Sequence, residues 1–188
     1  MTIDDHFDKQ RRLGSGVKVL SLFFIDKVAN YRKYTANGVS KGKFAKWFEE
    51  AYIKISSKPK YAGVMDNLSA SEVHNGYFAA DKNGQWKDSR DTKGEGGRTK
   101  DDDTVYTLIM KDKERLLDIN EPLRFIFSHS ALREGWDNPN VFQICTLNET
   151  SSQMKKRQEI GRGLRLPVNI EGQRVYDDNV NVLTVIAN

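Results

Sequence analysis

The sequence predicts an α/β domain built on a mainly parallel β-sheet. Short apolar runs recur at residues 17–25, 123–127, 140–147 and 181–187, and stretches with helical periodicity stand between them. The first run is nearly continuously apolar, as in a strand covered on both faces, and strands alternating with helices imply crossover connections within one sheet. Length bounds the answer: 188 residues, 38% of them hydrophobic, suffice for one sizeable core and are too few for two ordinary domains.

Taken in order, residues 3–13 read as a helix, with Thr2 and Asp5 at capping-box spacing and Gly14 as its stop. The strand at 17–25 ends at Asp26. Helices are expected at about 27–35 and 41–55, the second presenting Phe44, Trp47, Phe48 and Ala51 at three- and four-residue spacing. Residues 72–88 surround Asn83-Gly84, a strong hairpin turn signal, and 89–103 are polar and glycine-rich, so 72–103 reads as a hairpin and loop inserted into the domain. A helix at about 103–118 precedes the strands at 123–127 and 140–147. A further helix at about 151–165 precedes the last strand.

Composition narrows the function classes. No apolar run approaches the roughly 20 residues that span a bilayer, and the first residues have neither a basic nor an apolar leader region, so a cytoplasmic protein is expected. The single cysteine, Cys145, lies in an apolar run and reads as a buried core residue rather than a reactive thiol. His6, His74 and His129 have no partner at metal-ligand spacing, so no metal site is predicted. The net charge of +4 is unevenly placed: residues 1–60 hold 13 Lys and Arg against 6 Asp and Glu. Such a bias suits contact with a polyanion, although a solvated lysine-rich face explains it equally well.

Ligands of parallel α/β sheets collect at the carboxyl ends of the strands, and Asp26, residues 128–137 and residues 148–152 fall there. On a helix at 151–165, Gln158, Arg162 and Arg165 share an arc of about 60°, so both guanidinium groups leave one face. Arginine offers a planar, permanently charged fork for phosphate oxygens, and Gly161 and Gly163 permit close approach of a ligand or backbone. One such arginine and glycine would read as an ordinary helix end; two of each with a glutamine favour the functional reading. The second segment is Gly135-Trp136-Asp137-Asn138-Pro139, whose acid can accept hydrogen bonds from a ribose hydroxyl or simply cap a turn.

With these two segments in this order, the sequence resembles superfamily 2 helicases, whose motif V reads Gly-x-Asp-x-Pro and whose motif VI reads Gln-x-x-Gly-Arg-x-x-Arg. Strings around residues 23–31, 127–137 and 143–149 resemble more narrowly the Res subunit of type III restriction endonucleases, over essentially the whole chain. The resemblance implies a RecA-like fold, with residues 1–188 as the second such domain of an ATP-dependent DNA helicase or translocase. The first RecA-like domain and the nuclease would lie outside the chain. It further implies ATP with Mg2+ held mainly by that first domain, and DNA and a modification (Mod) methyltransferase subunit as partners. Arg162 and Arg165 would reach the triphosphate, one as an arginine finger, and Gln158 would position nucleotide or water. Gly135, Asp137 and Gly161 would border the nucleotide, and Ser128, His129 and Ser130 are weaker candidates for DNA-backbone contacts.

Absences agree with a partial motor. Gly38-Val39-Ser40-Lys41-Gly42-Lys43-Phe44 lacks Walker A spacing, and Asp101-Asp102-Asp103 follows no apolar strand. The isolated chain is therefore expected not to turn over ATP. The rival readings are a stand-alone nucleic-acid-binding module using lysines such as Lys41, Lys43 and Lys46, and a structural domain whose arginines only pair with acids.

Overall fold

The structure is a computed structural model that describes residues 1–36, 38–80, 85–87, 107–129, 138–147, 161 and 165–187. Its centre is a five-stranded sheet of β1 (Leu20–Ile25), β4 (His74–Tyr77), β7 (Phe125–His129), β8 (Val141–Thr146) and β9 (Thr184–Ala187), in the order β4-β7-β1-β8-β9. Every neighbouring pair is parallel. With helices on both faces, this is an α/β, RecA-like arrangement. β1 is the central strand, and all six of its residues are buried, as its continuous apolar sequence requires.

One face carries Phe23, Ile25, Phe125 and Phe127 against α1 (Thr2–Leu13) and α2 (Lys43–Ser56), through Phe7, Phe48 and Tyr52. The other carries Leu20, Leu22, Phe24, Ile126 and Ile144 against Leu108 and Ile109 of the helical residues 107–110 and Leu116 of α3 (Lys113–Leu117). Alternate side chains of each strand feed opposite faces, which is why one sequence run builds both cores. Cys145 is buried with the first group, and burial pushes its thiol pKa up.

Five local expectations are corrected. Helix α1 begins at Thr2, with Met1 as its N-cap and no side-chain cap, so Thr2 and Asp5 do not form a capping box; Thr2 is buried instead. The helix expected at 27–35 is a single 3-10 turn (Val28–Asn30) followed by an antiparallel hairpin of β2 (Arg32–Thr35) and β3 (Gly38–Lys41). Gly38 has φ 107°, a conformation open to glycine, and Tyr34, Thr35 and Val39 are residues that fit strands. On α2 the buried residues are Ala45, Phe48 and Tyr52, while Trp47 is 57% exposed. Finally, β4 lies inside the stretch read as an insertion yet forms an edge of the main sheet. The hairpin proper is β5 (Ala79–Ala80) with β6 (Trp86–Lys87). The helix expected at 103–118 is interrupted, with helical residues at 107–110 and again at 113–117. Among the described residues no helix is long and apolar enough to cross a membrane.

Candidate functional site at the carboxyl edge of the sheet

β1 delivers Asp26 to the carboxyl edge, where its Oδ1 accepts hydrogen bonds from the Lys27 backbone N–H at 2.9 Å and from the Asn30 side chain. This fixes the turn that leads into the β2–β3 hairpin. Gly42, the N-cap of α2, packs so tightly against that turn that a Cβ would lie 2.4 Å from the Asn30 carbonyl carbon and oxygen. Its N–H donates to the Tyr31 carbonyl at 2.7 Å. The first turn of α2 is thereby held beside the segment that leaves β1.

β7 brings Ser128 and His129 to the same edge, in register with Phe24 and Ile25 of β1. Ser128 is 2% exposed. Gly135, Asp137, Gln158, Arg162 and Ser130 lie outside the described residues. Of the motif VI string, Arg165 is exposed, and Gly161 is partly buried, with nothing within 4 Å of where a Cβ would stand. The two motif segments are nevertheless joined at their flanks. Asn140, just beyond the Gly135-to-Pro139 segment, accepts from the Val168 N–H at 2.8 Å and donates through Nδ2 to the Val168 carbonyl at 2.9 Å. Val168 follows Arg165 by three residues, so this two-point clasp ties the exit of one segment to the exit of the other. Asn140 is 1% exposed, and at such burial the paired bonds are demanded by the cost of orphaned polar groups.

Sequence reasoning missed a polar relay beside β4. Lys41 Nζ donates to both Glu49 carboxylate oxygens at 2.6 and 2.8 Å, and Glu49 Oε1 lies 3.1 Å from His74 Nε2. His74 Nδ1 is 2.7 Å from the Tyr31 hydroxyl. Burial opposes ionisation of Glu49, but the bonds from Lys41 and His74 outweigh it and hold the carboxyl below its ordinary pKa. Burial also lowers His74, against the pull of Glu49, and raises the Tyr31 phenol. The tautomer follows: an ionised Glu49 only accepts, so neutral His74 donates from Nε2 and accepts the Tyr31 proton at Nδ1. These residues line a cleft of about 310 Å³ with Arg32, Ser40, Ser71 and Asn75. No motif pointed to it, because its members come from four separate elements. With every partner satisfied and the phenol pKa raised, the relay is a lock between hairpin, α2 and edge strand.

Comparison with known proteins places the chain. It is 41% identical to the Res subunit of the type III restriction-modification enzyme EcoPI of Escherichia phage P1 and 40% identical to that of EcoP15I of Escherichia coli. It is 36% identical to the Res subunit of StyLTI of Salmonella typhimurium. Each match covers 94% of this chain and 18%, 18% and 19% of the respective relative, so the chain spans about a fifth of the length of these proteins. No family model matches.

Proposed function

We propose that the chain is a segment of a Res subunit of a type III restriction-modification enzyme, the proteins it resembles over 94% of its length, and that it forms the second RecA-like domain of an ATP-driven DNA motor. In this reading it supplies the far wall of an ATP site whose phosphate-cradling loop belongs to a preceding domain, and it forms part of the path along DNA. The parent would act in the cytoplasm with a Mod methyltransferase subunit and cut DNA as a restriction endonuclease.

The observation that carries the reading is the kinship with Res subunits over nearly the whole chain, and the ordered pair of segments at 135–139 and 158–165 agrees with it. ATP with Mg2+ supplies a transferable phosphoryl group on which negative charge develops during hydrolysis. Arg162 and Arg165 would hold that charge as preorganised cations, Gln158 would orient nucleotide or water, and Gly135, Asp137 and Gly161 would border the nucleotide. The described residues fit such a ligand: Arg165 is exposed, and the space beside Gly161 is open.

The test uses the parent polypeptide. Arg162→Ala and Arg165→Ala should each lower ATP turnover by about a thousandfold, on the scale of arginine-finger losses, with thermal unfolding unchanged. Normal turnover in both variants overturns the assignment, as would enzyme-like hydrolysis by the 188-residue chain alone that is indifferent to both substitutions.

A further inference from the structure

From Lys27 to Phe48 the sequence holds six basic residues, Lys27, Arg32, Lys33, Lys41, Lys43 and Lys46, and no Asp or Glu. The fold gathers this run into one continuous piece: the turn after β1, the β2–β3 hairpin, and the first turns of α2. The close approach of Gly42 to Asn30 keeps the two ends of the run together. Three of the six cations have structural partners, one of them Lys43, whose Nζ lies 4.9 Å from the Phe44 ring centroid and keeps its charge unpaired. Arg32 lies over the Trp86 ring at 3.4 Å, and Lys41 is bonded to Glu49. Lys27, Lys33, Lys43 and Lys46 are exposed, and among the described residues none of them forms an ion pair.

We propose that Lys27, Lys33, Lys43 and Lys46, with Trp47 beside them, form a sequence-independent binding surface for the phosphate backbone of a nucleic acid. An ordinary solvated face mixes signs, and this chain builds one elsewhere: Asp4 and Asp8 on α1 pair with Lys58, Lys60 and Arg11. At 27–47, by contrast, four exposed lysines form no ion pair among the described residues, although Asp26 and Glu50 border the run, and such an excess of positive charge is one that a polyanion neutralises with release of its counterions. Lysine serves as a point charge without a bidentate fork, which suits positioning on phosphates rather than reading of bases. Trp47, 57% exposed with Lys43 Nζ 5.8 Å from its ring centroid, offers a flat apolar face to a sugar or base. A lipid surface does not fit, because the apolar face of α2 (Ala45, Phe48, Tyr52) is spent in the core. The inference deepens the motor reading by naming where this domain holds DNA, and it rests on that reading for the choice of polyanion.

The experiment measures binding of a labelled mixed-sequence DNA duplex to the full chain across salt concentrations, without nucleotide, so its outcome is independent of Arg162 and Arg165. Four phosphate contacts predict a log-log salt slope of about −3.6, or a loss of affinity on the order of a hundredfold between roughly 50 and 200 mM salt. Combined Lys27→Gln, Lys33→Gln, Lys43→Gln and Lys46→Gln substitutions should flatten the slope and weaken low-salt binding by a similar factor. Arg11→Gln with Arg12→Gln, on the last turn of α1, should leave both unchanged. Circular dichroism of each variant reports the fold, which exposed lysines do not sustain. Absence of low-salt binding by the full chain overturns the proposal, as does a quadruple variant that binds like the parent. Displacement of DNA by polyglutamate at equal charge also overturns it, assigning the surface to an acidic protein instead.

Discussion

Lysines and arginines at the two ends of this sheet are put to opposite uses. At the amino end, Lys18 before β1 and Arg124 before β7 are 1% and 2% exposed, and they turn inward onto main-chain carbonyls. Lys18 Nζ donates to the carbonyls of Asp118 and Glu121 at 2.8 and 2.7 Å. Arg124 donates to Ile119 at 2.6 Å, to Leu123 at 3.3 Å and to the carbonyl of Glu121. Beyond the carboxyl end of β1, Lys27, Lys33, Lys43 and Lys46 face solvent, and among the described residues none of them forms an ion pair. A buried basic side chain is tolerated where its hydrogen bonds are met, and there it clamps chain to chain. An exposed group of cations without ion pairs among the described residues clamps no described segment to another, and a partner outside the chain is what the proposed surface would hold. Burial and pairing, rather than residue type, separate scaffold from surface.

The amino-end clamp should be the more costly to break. Arg124→Ala removes three carbonyl partners from the 119–123 segment and leaves a cavity at a fully buried site, so a loss of about 3–4 kcal/mol is expected in denaturant unfolding. A loss under about 1 kcal/mol would mean that the 119–123 turn holds itself. Next in size is Gly42→Ala, which forces a Cβ into the Asn30 carbonyl and should cost about 2 kcal/mol. If the hairpin and α2 act as one surface, the same substitution also weakens DNA binding, whereas Arg124→Ala in the surviving folded fraction does not.

The central strands were legible in the sequence because burial on both faces leaves apolar runs that no other element of that length would carry. β4 was not, since an edge strand keeps polar residues: His74 and Asn75 face the relay cleft, and Gly76 is required where a Cβ would come within 2.3 Å of the Phe78 ring. The β2–β3 hairpin was missed although Asn37-Gly38 repeats the turn signal read at Asn83-Gly84, a pair that lies outside the described residues between the paired β5 and β6. In the fold Tyr31 packs on Phe127 with ring centroids 4.7 Å apart, a long-range contact that no local reading of 27–35 contains. Trp47 counted as core by periodicity alone, because a three-to-four spacing does not distinguish the edge of an apolar stripe from its centre. Of the candidate site, the string of motifs was readable, but the Asn140–Val168 clasp joins positions 28 residues apart and has no local signature.

Lys18 sharpens the comparison through pH. Burial, reinforced by Arg124, pushes its pKa down to about 6, well below the ordinary lysine value. Because the folded pKa is depressed, the unfolded chain binds the extra proton between about pH 6 and pH 10, and stability rises with pH across that window. Lys18→Met should flatten the rise, reducing the change in unfolding free energy between pH 6 and pH 9 by about 1–2 kcal/mol. The carbonyl bonds favour the charged form and keep the figure at that modest level. Identical pH profiles for parent and variant would show that the amine stays charged throughout. His6, whose pKa burial holds well below the ordinary histidine value, contributes in the same direction below about pH 6.5 and is common to both proteins.

The smallest expected effect discriminates best, because stability and binding should move in opposite directions. Helix α1 obeys its dipole, with Asp4 and Asp5 in the first turn and Arg11 and Arg12 in the last. Helix α2 opens on Lys43, has no acid in its first turn and carries Lys46 one turn on. If the reversal only reflects drift on a neutral surface, Lys43→Glu should stabilise the fold slightly and leave DNA affinity alone. If the lysines serve a phosphate backbone, the same substitution should raise unfolding free energy by about 0.5 kcal/mol while weakening low-salt DNA binding several-fold, since it both removes a contact and adds a repulsive charge. A local arrangement that opposes the stability of its own helix is retained for what it binds, and measuring both quantities on one variant separates that explanation from chance.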